Sequence, residues 1–190
     1  MERKTFLSVL GLLTVKAALP IVQSMKPDLF YFKDDGIIPN SKFPLLRYSN
    51  AFAARNNEGA RWLETKFANN NWTNSWRNGI YPFHHYHSTS HEVLGIYSGS
   101  ALLQLGGEKG EKVSVQAGDI LIIPAGVGHK KLESINLGVV GAYPEGRDWD
   151  LNRGQPGERP QVDKNIAALP IPSTDPLLGT NVGLPTIWLA

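Results

Sequence analysis

The chain has 190 residues, enough to bury one core without staples and too few for two large domains. It contains no cysteine, which excludes disulfides, thiolate metal sites and a cysteine nucleophile. The formal charge is +2, and without residues 1–24 sixteen basic residues face sixteen acidic ones, a balance that gives nucleic acid no electrostatic footprint.

Residues 1–24 combine a charged start, an apolar stretch from Thr5 to Val15 and small or turn-forming residues ending in Val22-Gln23-Ser24. This is the order of a secretory signal, so an exported, periplasmic or extracellular protein is expected. If the segment is instead a helix of the mature chain, the protein stays cytoplasmic. The apolar run, closed by Lys16, is too short for a stable membrane span.

Residues 25–78 read as an N-terminal arm with one short helix. LFYF and PLLRY have no helical period and suit extended or edge strands. Ala60, Leu63 and Phe67 recur at helical spacing behind the candidate caps Asn56 and Asn57, which predicts a short amphipathic helix over Glu58–Phe67. Trp62, Trp72 and Trp76 read as core or lid residues.

Residues 79–143 form the β body. The expected strands are IYPFHHYH, EVLGIYS, SALLQL, KVSV, DILIIP and NLGVVGAY, separated by Gly-rich or charged turns at the spacing of barrels and sandwiches. GGEKGEK, between SALLQL and KVSV, is a hairpin signal. Residues 144–190 hold seven prolines and little alternation, which predicts an extended tail packed on the barrel and docked through Ile187-Trp188-Leu189.

The chemistry concentrates in two stretches. In a strand, residues two apart share a face, so His85 and His87 can present both imidazoles to one point. Glu92 follows after a turn expected at Ser88–Ser90 and can enter from the next strand as an anionic ligand. His91 shares the parity of the two histidines and would replace Glu92 if the strand ran on without a turn. His129 ends a second stretch, Gly118-Asp-Ile-Leu-Ile-Ile-Pro-Ala-Gly-Val-Gly-His, which can bring it in from across the barrel. His84 reads as an outward residue or a support for a ligand's tautomer. Tyr97 and Gln104 could point into the barrel mouth but read more readily as ordinary filler, and Arg147 could pair with an anionic substrate or simply lie on the surface.

Together the two stretches resemble the paired motifs of the cupins. The first is glycine, five residues, His-x-His, four residues, Glu, six residues, glycine; the second is glycine, five residues, Pro-x-Gly, two residues, His. All these positions are filled here, and Glu133 stands where the second motif usually has asparagine. HHYHSTSHEVLG, PAGVGHK and the proline-rich tail resemble a group of uncharacterised single-domain bacterial cupins. The resemblance implies an all-β double-stranded β-helix, a jelly-roll barrel, as a homodimer, with His85, His87, Glu92 and His129 as ligands of one divalent metal. Three imidazoles and a carboxylate suit Fe, Mn, Ni, Co, Cu or Zn without choosing among them. The expected partner is a small molecule. The expected function is a metal-dependent enzyme, a dioxygenase or isomerase acting on a small polar molecule, and the alternative is a cupin that binds a sugar or acid without chemistry.

Overall fold

The computed structural model describes residues 25–189; the signal expected in residues 1–24 lies outside the described residues. The described chain is mostly antiparallel β-structure with three short helices. Its axis is β4 (Glu92–Leu105), which joins the two expected strands EVLGIYS and SALLQL into one. The first part of β4, Glu92–Gly95, pairs with β6 (Ile120–Ile123), and its last part, Ser100–Leu105, pairs with β5 (Glu111–Gln116). Along its other edge runs β7 (His129–Pro144), paired from Val93↔Ala142 to Leu105↔His129 with register shifts between Ile96 and Ser100 and between Leu102 and Leu103. The switch of partner falls at Gly99, whose φ of +66° lies in the left-handed region. A Cβ there would come within 2.0 Å of the Ile135 carbonyl oxygen, so only glycine lets the strand bend against β7.

The rest of the sheet is added at the edges. β2 (Leu45–Tyr48) pairs with β6, β1 (Asp28–Phe30) closes that edge, and β3 (Trp72–Asn78) pairs with β7 on the opposite one. The GGEKGEK hairpin forms as expected, with Leu105 opposite Glu111. β3 has no expectation behind it: WTNSWRN is mostly polar and half-exposed, so no apolar alternation announces it.

The centre of the sheet, the start of β4 with β6 and the last half of β7, is buried on both faces, which explains the apolar runs there. Val93, Ile120, Ile122, Val140 and Ala142 join one core with Leu46, Phe67 and Trp72. Their neighbours Leu94, Leu121, Ile123 and Val139 join a second core with Leu103 and Val115. Helix α1 (Asn56–Asn69) lays Ala60, Leu63 and Phe67 on the first core, as its spacing predicts. It starts two residues earlier than expected, and its N-terminus carries no side-chain cap.

Two sequence expectations are corrected. IYPFHHYH is not a strand: Pro82, with no N–H to give a ladder, bends the chain, and only isolated bridges at His85 and Tyr86 remain. The tail is not wholly extended. It carries α2 (Gln161–Ala168), a ribbon of β8 (Thr174–Asp175) and β9 (Gly179–Thr180), and α3 (Leu184–Trp188). Prolines stand at the starts of both helices, where a missing N–H costs nothing. Trp188 is buried in the first core and donates its indole N–H to the Pro44 carbonyl. Asp175, fully buried, accepts the Tyr48 hydroxyl and the N–H groups of Leu177, Leu178 and Leu184, fixing the tail to β2. No helix among the described residues is long and apolar enough to cross a membrane.

Candidate metal centre

His85, His87 and His129 converge at the buried end of the second core, with ring nitrogens within 4.8 Å of one another. His129 is the first residue of β7, and Glu92 is the first residue of β4. The irregular segment that carries His85 and His87 is pinned on two sides. His85 exchanges both backbone hydrogen bonds with His129, and Tyr86 exchanges both with Asn152. Their alternation survives without a regular strand: His85 and His87 face the cluster, while Tyr86 points away and donates its hydroxyl to Glu158.

Each of the three rings turns Nδ1 toward a backbone carbonyl. His85 meets Phe83 at 3.3 Å, His129 meets Val127 at 3.1 Å, and His87 meets Asp150 in a very short contact. With Nδ1–H donated outward, the Nε2 lone pairs are left pointing at one another. Glu92 completes the group. Its Oε2 lies 3.5 Å from His87 Nε2 and 3.4 Å from His129 Nε2, is buried, and has no hydrogen-bond donor. Oε1 accepts the Tyr143 hydroxyl at 3.0 Å, and that hydroxyl in turn accepts the Trp76 indole N–H at 2.8 Å.

The electrostatics follow from burial. Burial opposes the charge of Glu92, but His87 and His129 outweigh it and hold the carboxyl below its ordinary value. Burial likewise opposes the charge of His87, yet Glu92 raises its imidazole above the ordinary value. Burial and His129 push His85 down to about 2. A buried carboxylate oxygen with no donor, among imidazoles whose lone pairs converge, fits a divalent cation of the borderline class.

The turn at Ser88–Ser90 decides between Glu92 and His91. The carboxylate of Asp150 accepts the N–H groups of Ser88 and Thr89 at 2.6 and 3.1 Å, and the Ser88 hydroxyl at 2.5 Å. This bend flips the parity, so Glu92 faces the cluster and His91 does not. His91 Nδ1 accepts the Ala125 N–H, its ring lies 4.9 Å from Trp188, and burial pushes its pKa down to about 4. His84 sits outside the cluster, 3.3 Å from Glu108, and burial and Lys130 lower its pKa.

A cavity of about 360 Å³ opens onto the four residues and is lined also by Trp76, Tyr81, Tyr143 and Trp149. Tyr97 and Gln104 line no part of it, and Arg147 pairs with the exposed Glu145. Sequence reasoning missed Tyr143, Trp149 and Asp150. Tyr143 shares parity with Gly141 on β7 and was legible as an inward position; Trp149 and Asp150 lie in a loop with no local signal.

No family model matches the chain. The uncharacterized protein YjlB of Bacillus subtilis (strain 168) is 42% identical over 162 residues, covering 84% of this chain and 95% of that one. Among solved structures, the acireductone dioxygenase from Bacillus anthracis, with cadmium ion in its active center, is 17% identical at a TM-score of 0.35, covering 47% of this chain and 60% of that one. A DUF861 family protein from Thermotoga maritima is 22% identical at 0.29, covering 48% and 92%. An 11S globulin from Wrightia tinctoria is 20% identical at 0.33, covering 42% of this chain and 22% of that one. The chain thus spans less than two thirds of the dioxygenase and of the globulin. With 42% identity over nearly the full length of the Bacillus subtilis relative, the chain belongs to the YjlB family.

Proposed function

We propose that the protein is a metal-binding cupin, a double-stranded β-helix that holds one divalent transition metal on His85, His87, Glu92 and His129 and acts as a metal-dependent enzyme of dioxygenase or isomerase type on a small molecule. The observation that carries this reading is Glu92 Oε2, buried without a donor beside two imidazole Nε2 atoms. A bound divalent ion supplies Lewis acidity at that spot. The chain's own part is separate. Three backbone carbonyls fix the imidazole tautomers, Glu92 offsets charge, Tyr143 holds Glu92, and aromatic side chains line the cavity that opens onto the cluster.

The test is elemental analysis and thermal unfolding of the purified chain beside its His85→Ala/His87→Ala variant, each with and without added Mn, Fe, Ni or Zn. At a metal concentration 100 times its dissociation constant, binding stabilises the parent by about 2.7 kcal/mol, which raises the melting temperature by roughly 5 to 11 °C at this chain length. The double variant should show neither the metal nor the shift. Parent protein that stays metal-free and unshifted after reconstitution overturns the proposal.

A further inference from the structure

The cavity above the four residues has the largely aromatic lining of a small-molecule site. Four aromatic rings face it, and two of them, Tyr81 and Trp149, are large and partly exposed, 43% and 39% accessible. They flank the cluster. Tyr81 meets the His85 ring edge-on at 5.0 Å, and Trp149 meets the His87 ring at 5.1 Å while lying nearly parallel to Tyr143. Both are therefore held by neighbours while keeping surface open to the cavity. Two anchored aromatic surfaces beside a polar centre favour a flat ring over a flexible chain.

The charges set a second limit. Among the described residues, no lysine lines the cavity, and its one arginine, Arg77, is bound through two hydrogen bonds of 2.7 and 2.6 Å to Glu64. Arg153 stacks on Phe83, outside the lining. A phosphate or a polycarboxylic acid would thus enter without the guanidinium or ammonium partners that such groups require when desolvated. A divalent ion beside the Glu92 carboxylate leaves one positive charge, which a single negative charge on the ligand balances.

We propose that the cavity selects an aromatic ligand bearing oxygen substituents and at most one negative charge, seated against Tyr81 and Trp149, and that it rejects phosphorylated and multiply anionic molecules. The charge limit rests on the metal reading of the site; the preference for a ring does not.

Isothermal titration calorimetry on the full chain, metal-stripped and zinc-loaded, tests both parts with phenol, catechol, glucose and glucose 6-phosphate as probes. Phenol and catechol should bind the stripped protein, each at least fivefold more weakly in Tyr81→Ala and in Trp149→Ala, with near-parent binding in Tyr81→Phe. Zinc should tighten catechol at least tenfold, and glucose 6-phosphate should bind neither form. If catechol binds the stripped protein and zinc is not retained, the metal reading fails while the ring preference stands. If zinc is retained and glucose or glucose 6-phosphate binds as well as catechol, or the alanine variants bind like the parent, this proposal is overturned.

Discussion

Gly141→Ala is the sharpest probe of how the site is braced. In a strand interior, replacing glycine by alanine ordinarily helps, by roughly 0.5 to 1 kcal/mol, because the unfolded chain loses freedom. Here a Cβ would lie 2.2 Å from Cε2 and Cζ2 of Trp76, where ordinary contact begins at 3.4 Å. The indole must move by about 1 Å or more, and its N–H then leaves the Tyr143 hydroxyl. Overpacking costs roughly 1 to 3 kcal/mol, the lost hydrogen bond costs about 1 kcal/mol, and the unfolded-state gain returns roughly 0.5 to 1 kcal/mol, so the variant should be less stable by about 1 to 3.5 kcal/mol. At this chain length that lowers the melting temperature by at least about 2 °C. Because Tyr143 also donates to Glu92, metal binding should weaken in the same variant. The assay is a double-mutant cycle by thermal and urea unfolding, with Trp76→Ala as the second change. In the Trp76→Ala background Gly141→Ala should cost little, since the obstructing ring is gone. Additive effects, or a Gly141→Ala variant as stable as the parent, would refute the packing argument.

Other perturbations reach separate supports of the fold. Asp175→Ala leaves the Tyr48 hydroxyl and three backbone N–H groups without their acceptor, so it should destabilise by at least about 3 kcal/mol and expose the tail to protease, read by unfolding and limited proteolysis. Asp150→Asn should loosen the Ser88–Ser90 bend and lower metal affinity by roughly 10- to 100-fold, measured by competition with a chromogenic chelator; unchanged affinity would mean that the bend keeps its shape without this carboxylate's charge. Burial opposes the charge of Glu158, but hydrogen bonds from Arg153, Tyr86 and Gly154 hold its carboxyl below the ordinary 4.5. A carboxyl lowered in the folded state stabilises above the unfolded pKa and loses that contribution as pH falls through the folded one. The stability gap between parent and Glu158→Gln should therefore be full at pH 6 and shrink below pH 4.5, as followed by urea unfolding across that range.

Much of this was legible because side-chain period and burial agree. Ala60, Leu63 and Phe67 announce α1 at helical spacing, and the apolar runs around Leu94, Leu121 and Val140 announce strands buried on both faces. His85, His87 and His129 come together with Glu92 beside them, although the first pair sits in no regular strand. β3 stayed hidden because Asn74, Ser75 and Asn78 give no alternation; it is recruited by the open edge of β7. The continuity of β4 was hidden because Gly99 reads as a turn, whereas its positive φ bends a strand that goes on. Trp149 and Asp150 were beyond reach for a different reason: their role depends on where the loop after β7 lands, and no local pattern encodes that.

The loop after β7 holds the centre together. Asp150 lies 62 residues beyond Ser88, yet it shapes the turn that sends Glu92 rather than His91 to the cluster. Its carbonyl also fixes the ring of His87, and Asn152 pairs with Tyr86 between the two histidines. On the opposite side, His91 is held by Ala125 and packs on Trp188, whose helix is anchored through Asp175 and Pro44. The four-residue pattern supplies the converging side chains, but their orientation comes from chain that follows the sheet. A loss of tail docking should therefore reach the centre as a change in metal affinity before it unfolds the sheet, because the irregular His85–Ser90 segment has no ladder of its own to fall back on.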